Sequence, residues 1–100
     1  MADSKQQMIV AIGTFAMHFP EVHSLKEKRQ ILRSLIDRVK ARFNASIAEV
    51  TDNDLWQRGT IGVAMVANDR LLLQQMAQKI DDILADHSSV EIVDTYWDYV

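Results

Sequence analysis

The chain has no cysteine, only one proline and no apolar run long enough to cross a membrane. The missing cysteine excludes disulfide bonds, thiolate metal sites and cysteine-based catalysis. A membrane helix needs about 18 or more consecutive apolar residues. The opening residues MADSKQQ also lack the apolar segment of a secretory signal. We therefore expect a cytoplasmic protein.

What the chain does contain is a globular composition, with 48% hydrophobic and 25% charged residues in 100. This length is typical of a single domain, and such a domain buries roughly two-thirds of its unfolded surface. We expect residues 1–7 to be a flexible polar N-terminus and residues 8–100 to form one domain.

The charge is distributed unevenly along the chain. The net charge of −3 argues against a general nucleic-acid binder, but residues 24–43 carry seven basic and two acidic side chains. The remainder carries four basic and twelve acidic side chains. Such polarisation can orient a protein on an anionic partner. The alternative is that these lysines and arginines only solvate an exposed helix face.

Residues 24–43 predict one long amphipathic helix. Ser24 is the expected N-cap, and Glu27, three residues later, would complete a capping box. Asn44 is expected to end the helix in the left-handed conformation. Apolar residues at spacings of three and four predict the core-facing stripe: Leu25, Ile31, Leu32, Leu35, Ile36, Val39 and Phe43.

The other segments predict four strands and a second helix. Strands are expected at 8–19, at 45–50, from 55 or 56 to 67, and at 90–100, with the second helix at 70–86. Asn68 or Asp69 is the expected N-cap of that helix. Its expected buried stripe consists of Leu72, Leu73, Met76, Ile80, Ile83 and Leu84. The first and third strands are apolar on both faces, which is typical of central strands, whereas the last mixes apolar and acidic residues like an edge strand.

The resulting element order is β-α-β-β-α-β. It predicts an α+β ferredoxin-like sandwich, in which a four-stranded antiparallel sheet carries two helices on one face. Right-handed crossovers place the first and third strands in the centre of the sheet. Within the first strand, Gly13 is expected to mark a bulge or a close backbone approach.

Three stretches resemble the YlxP-like family of small bacterial proteins, a domain of unknown function. They are HSLKEKRQILRSLIDRVKARFN, AEV followed by DLWQRGTIGVAMVAND, and the closing acidic and aromatic strand. SLKEKR and DLWQR are the more specific parts. The resemblance runs from about residue 8 to the C-terminus and implies a ferredoxin-like fold. Genes of the family commonly lie beside genes for translation initiation and ribosome maturation, which implies, by association, a role near the ribosome.

The candidate nucleic-acid-binding residues begin on the first predicted helix. On a helical wheel, Arg29, Arg33 and Lys40 fall within about 60° of Lys26. A stripe of this kind can contact several phosphates across an RNA groove. Basic amphipathic helices also bind membranes and acidic proteins, so the pattern alone leaves these partners open.

Two residues near the third strand are secondary candidates. Arg58 would extend the basic stripe. Trp56, expected beside it on the same strand face, would either anchor a corner of the sheet or stack on a base or a partner's side chain.

The open face of the predicted sheet favours protein contact over base recognition. The third strand presents Thr60, Gly62, Ala64 and Val66 there, without the central aromatic residues on which sheet-type RNA readers stack bases. An apolar face of this kind usually marks an interface. We therefore predict a homodimer that pairs two copies through this open sheet face.

The sequence predicts no catalytic residue, no metal site and no cofactor. His18, Glu21 and His23 lie close together, but no second cluster joins them. Asp52 and Asp54 fit a turn better than acid–base chemistry. The leading hypothesis is a non-catalytic, RNA-binding or ribosome-associated factor that uses the basic first helix. The alternative is a homodimeric structural or regulatory module without a nucleic-acid role, and a small-ligand sensor lacks its expected glycine-rich loop.

Overall fold

The computed structural model describes residues 8–52 and 54–100. The expectation for residues 1–7 lies outside these ranges. The elements, in chain order, are β1 (Ile9–His18), α1 (Leu25–Arg42), β2 (Ser46–Thr51), β3 (Arg58–Ala67), α2 (Arg70–Ala85) and β4 (Glu91–Tyr99). This β-α-β-β-α-β order confirms the predicted ferredoxin-like fold.

The four strands form one antiparallel sheet in the order β2-β3-β1-β4. The two most apolar strands are therefore central, as predicted. They pair along their whole length, from Ile9 opposite Ala67 to His18 opposite Arg58. Both edge strands are interrupted, since the register shifts at residues 16–17 against β4 and at residues 49–51 against β3. Irregular edges of this kind discourage pairing with other chains.

Both helices cover the same face of the sheet, and the core lies between the two layers. Full burial of each large apolar side chain there stabilises the fold by about 1.5–3 kcal/mol. Two positions differ from the predicted apolar stripes: Leu72 is 44% exposed, and Lys28 is fully buried. The core includes Ala11, Phe15, Met17, Leu32, Leu35, Val39, Ile61, Val63, Met65, Leu73, Ile80 and Leu84.

The helix starts agree with the predicted caps, but the end of α1 does not. The Ser24 hydroxyl accepts the Glu27 N–H at 3.1 Å, and the Asp69 carboxylate caps α2. Phe43, with extended backbone angles, is the C-cap of α1 and donates its N–H to the Val39 carbonyl. The prediction of a left-handed Asn44 is wrong, because the chain passes directly from the last helical turn into the extended β2. Among the described non-glycine residues, the positive φ is that of Asp52, at 61°.

A close contact between Gly13 and Trp97 joins the edge strand β4 to the rest of the fold. Gly13 lies opposite Trp97 in the β1–β4 register, and a Cβ on Gly13 would sit 2.7 Å from a carbon of the indole ring. The sequence predicted either a bulge or a close backbone approach at Gly13. The β1–β3 register continues through Gly13 without a shift, so Gly13 marks a close approach and not a bulge. Trp97 packs edge-on against Phe15 and donates from Nε1 to Asp81 Oδ1 of α2 at 2.9 Å.

The packing around Trp97 also changes the titration of its hydrogen-bond partner, Asp81. Burial raises the pKa of its carboxyl above the ordinary 3.8; the hydrogen bond from Trp97 lowers it, and the neighbouring Asp82 raises it. Folding therefore favours the protonated carboxyl. The corresponding stabilisation is complete below pH 3.8 and is lost as the pH rises through the pKa of the folded state.

We expect Asp81→Asn to become progressively more favourable, relative to the native chain, as the pH rises. The amide oxygen can still accept the Trp97 hydrogen bond, but the variant has no charge to desolvate. Urea denaturation from about pH 3.5 to about pH 7 measures the difference in unfolding free energy between variant and native chain. Asp94→Asn, exposed on β4, is the control. A difference that stays constant or shrinks with rising pH would contradict this account.

Candidate nucleic-acid interface

The four predicted phosphate-binding residues of α1 are all exposed on one flank of the helix. We call Lys26, Arg29, Arg33 and Lys40 the basic stripe. At 1.5 Å per residue, the stripe extends about 21 Å along the helix axis. This length allows contact with several phosphates of one nucleic-acid backbone.

The basic stripe faces away from α2. Arg38 and Arg42, on the other side of α1, line a cleft with Ile83 and Asp86 of the second helix. The basic stripe lies about 170° around the helix from these two arginines. Since α1 packs over β2, an edge strand, the stripe follows an outer margin of the molecule.

No carboxylate pairs with the basic stripe in the part of the chain that the structure describes. The ion pairs there are His18–Glu91 and Lys28–Glu49. Six of the seven basic side chains between residues 24 and 43 are exposed, against the two acids Glu27 and Asp37. The exposed surface of α1 therefore remains strongly positive.

The seventh basic residue, Lys28, has a structural role that sequence reasoning missed. Its side chain is 1% exposed, and its ammonium lies 2.7 Å from Glu49 Oε2 of β2. The same Nζ donates to the backbone carbonyls of Asp52 at 2.7 Å and Leu55 at 2.6 Å. Two of the three N–H groups of the lysine are therefore hydrogen-bonded to carbonyls, and the carboxylate supplies the counter-charge. The sequence did contain a sign of this burial. Lys28 lies three residues after Leu25 and four before Leu32, and this spacing places it on the apolar face of the helix.

Gly59 leaves the room that this buried ion pair occupies. A Cβ at Gly59 would lie 2.9 Å from Glu49 Oε2 and 3.2 Å from Lys28 Cε. Glu49 Oε2 is itself buried and forms an ion pair with the Lys28 ammonium. The geometry of this contact is not that of a hydrogen bond. The SLKEKR, AEV and DLWQR stretches thus meet at one point in the fold, with Gly59 directly after the last of them.

The loop between β2 and β3 is fastened from two sides. Lys28 binds two of its carbonyls, as described above. On the other side, Gln57 Nε2 donates to the carbonyls of Pro20 and Val22, and the Gln57 carbonyl accepts the Phe19 N–H. The predicted start of the third strand at residue 55 or 56 is wrong, because this part of the chain bonds to α1 and to the loop before it. The strand begins at Arg58.

Trp56 of the fastened loop and Arg58, the first residue of β3, are both exposed to solvent. Trp56 is 51% exposed and Leu55 is 40% exposed, so the indole does not fill a core position. Trp56 precedes β3 and therefore does not share a strand face with Arg58, as the sequence suggested. Both residues instead line an open cleft of about 310 Å³. Through Lys28, this loop lies at the N-terminal end of α1.

The structure does not gather the other candidate side chains into a site. His18 Nδ1 lies 3.1 Å from Glu91 Oε1, and both side chains are largely exposed. Over residues 8–52 and 54–100, no group of three or more His, Asp or Glu side chains could hold a metal ion. No helix in those ranges is long and apolar enough to cross a membrane.

We expect Lys28→Met to destabilise the protein by about 3–5 kcal/mol, because it leaves Glu49 buried without its counter-charge. Thermal or urea unfolding measures the loss. Lys26→Met is the matched control: it makes the same chemical change two residues away at an exposed site, and should cost no more than about 0.5 kcal/mol.

The double variant Lys28→Met/Glu49→Met separates the charge effect from the loss of the two carbonyl contacts. It should be less destabilised than the sum of the single changes, because neither charge is left alone. Equal stabilities of Lys28→Met and Lys26→Met would show that the buried ion pair does not hold this region.

Comparison with known proteins places the chain in a family. Residues 10–97 match the model of a family described as a protein of unknown function, DUF503. The Uncharacterized protein YlxP of Bacillus subtilis (strain 168) is 36% identical over 76 residues, which cover 74% of this chain and 83% of that one. The de novo designed protein Foldit4 shares the fold, with a TM-score of 0.55 and 12% identity over 92% of this chain and 96% of that one. The sequence resemblance is thus confirmed, and the chain belongs to the YlxP-like DUF503 family of proteins of unknown function.

Proposed function

We propose that this protein is a non-catalytic cytoplasmic factor that binds structured RNA through the basic stripe of α1, in the course of ribosome assembly. The observation that carries the proposal is the arrangement of that stripe. Its four cations are exposed on one outer flank of a helix, and none is paired with a carboxylate in the described residues.

The physical basis is electrostatic. Each phosphate that a lysine or arginine neutralises releases condensed counterions, so affinity falls steeply as the salt concentration rises. A helix holds its cations at fixed spacing and can follow an RNA backbone by shape, without reading the sequence of bases. The remainder of the chain is acidic, and its repulsion from RNA favours the orientation in which α1 faces the phosphates.

The side chains of the open sheet face also favour α1 as the RNA-binding surface. RNA readers of this topology stack bases on aromatic residues of the two central strands. Here the exposed central positions are small or aliphatic. The exposed aromatic residue of this face, Tyr96, lies on the edge strand β4. The ribosomal context of the proposal comes from the gene neighbourhood that the family resemblance implies.

We expect the variant Arg29→Gln/Arg33→Gln to weaken RNA binding and to flatten its salt dependence. If both side chains contact phosphates, the slope of log affinity against log salt concentration should fall by about two. Fluorescence anisotropy with a labelled RNA hairpin, across a salt series, measures the affinity and the slope together.

The matched control is Arg38→Gln/Arg42→Gln, which changes the net charge equally on the opposite side of the same helix. It should retain most of the affinity and the slope. Equal losses in the two variants would point to general charge attraction and contradict a role for the stripe. No binding of the native chain at low salt would remove the proposal altogether.

A second, independent proposal is that two copies associate through the open sheet faces. Several large apolar side chains are exposed there, including Ile12 (41%), Val66 (59%) and Val50 (54%). Four strands about 4.8 Å apart and roughly 30 Å long present about 600 Å². That is slightly less than the roughly 800 Å² per partner of a standard interface. The resulting dimer would be weak, and the acids of β4 would remain at its rim.

Light scattering should therefore show an average mass that rises with protein concentration. Val66→Asp should shift the protein to the monomer, because it places a charge in the apolar contact. Leu71→Asp, at an equally exposed leucine on α2, should not change the mass profile. A monomer at all concentrations would contradict the proposal, as would equal effects of the two variants.

A further inference from the structure

The cleft beside Trp56 has the composition of a binding site for a planar aromatic ring. Its apolar walls come from Trp56 and Leu55, and its polar groups come from Asp54, Gln57 and Arg58. The volume of about 310 Å³ is at the lower end of the range for small-molecule sites. We call this surface the Trp56 cleft.

We propose that the Trp56 cleft binds an unpaired nucleobase of the same RNA whose phosphates contact the basic stripe. This inference rests on the proposed function and specifies its ligand. The RNA would have a paired stem and, next to it, at least one nucleotide outside the stack.

The first argument is that hydrogen bonds attach the segment around Trp56 to the rest of the fold without a ligand. Lys28 and Gln57 together make four hydrogen bonds to backbone carbonyls, two at the loop and two at the segment before α1. A stacking surface that is already in place loses less conformational entropy on binding. Burying a lysine is costly, so its use to fix a loop with half-exposed Leu55 and Trp56 indicates that their position matters.

The second argument is the position of the cleft relative to the basic stripe. The Leu55 carbonyl, next to Trp56 in the chain, lies 2.6 Å from Lys28 Nζ. Lys28 is flanked on α1 by Lys26 and Arg29, the first two residues of the stripe. A base in the cleft and phosphates on the first turns of α1 can therefore belong to one short stretch of RNA.

The third argument is chemical complementarity. The indole face can stack on any base, and Arg58 can add a cation–π contact or a hydrogen bond. The Asp54 carboxylate accepts hydrogen bonds but donates none, so it favours a base with an exocyclic amino group. We therefore expect adenine, cytosine and guanine to be preferred over uracil.

NMR of the ¹⁵N-labelled full chain tests the site directly, because the protein has only two tryptophans. The probes are an RNA hairpin with one bulged adenosine, the same hairpin with a bulged uridine, and the hairpin with a fully paired stem, all closed by the same loop. The Trp56 indole N–H signal, assigned with Trp56→Phe, should shift strongly with bulged adenosine, less with bulged uridine and least with the paired stem. The Trp97 signal, whose N–H is bound to Asp81, is the internal reference.

Affinities for the same hairpins give the second readout. The native chain should bind the bulged-adenosine hairpin at least about fivefold more tightly than the paired hairpin, as expected for one stacked base. Trp56→Ala should abolish this preference, so that the bulged-adenosine and paired hairpins bind with about equal affinity. Trp56→Phe, which keeps an aromatic face, should retain part of the preference.

The outcomes separate this inference from the proposed function. Arg29→Gln/Arg33→Gln should weaken binding to both hairpins and preserve their ratio. If stripe-dependent binding is found but the Trp56 signal does not move, the nucleobase site is overturned and the proposed function stands. If the Trp56 signal moves but the stripe variant binds normally, the proposed function fails. A Trp56 signal that responds equally to all three hairpins, or to none, would likewise overturn the nucleobase site.

Discussion

The buried ammonium of Lys28 is the contact on which the arrangement of the functional surfaces depends. It links α1 to β2 through Glu49 and to the following loop through two backbone carbonyls. Desolvating a charge costs several kcal/mol unless a counter-charge and hydrogen bonds replace the lost water. The three oxygens around Lys28 provide that replacement. The interaction therefore acts less as added stability than as a constraint on where the loop and the start of α1 must lie.

This constraint divides the basic residues of α1 into two kinds. Lys28 points inward and is neutralised, whereas the basic stripe points outward along the margin beside β2. The rest of the surface differs in character, with an apolar open sheet face and acidic side chains along β4. The proposed RNA contact and the proposed self-association thus use different faces. Binding on one face need not block the other.

Much of the fold could be predicted because it depends on periodic apolar patterns. The apolar residues on both faces of β1 and β3 placed these strands in the centre. Ser24, and Asn68 or Asp69, marked the helix starts. The Lys28 contacts could not be found in the same way. Two of its partners are backbone carbonyls, which carry no side-chain signature, and Glu49 lies far away in sequence. Charge composition also grouped Lys28 with the exposed cations, although its spacing placed it on the apolar face.

The errors of local prediction have a common physical origin. Asn44 was expected to end α1, Leu72 to be buried and Trp56 to lie on a strand face, and each expectation used only neighbouring residues. For Trp56 the deciding contacts are tertiary, because Gln57 and Lys28 hold residues 54–57 out of β3. The stripe itself was predictable, because a helical wheel places its four members together. Only the structure could show that, within the described residues, no carboxylate pairs with the stripe.

The central claim is that the exposed cations of α1 dock this protein on structured RNA. Sedimentation of cell extract through sucrose gradients, at low and at high salt, tests it most directly. The account predicts that the protein migrates with ribosomal particles at low salt and returns to the top of the gradient at high salt, as phosphate contacts require. Migration at the top of the gradient under both conditions would contradict it.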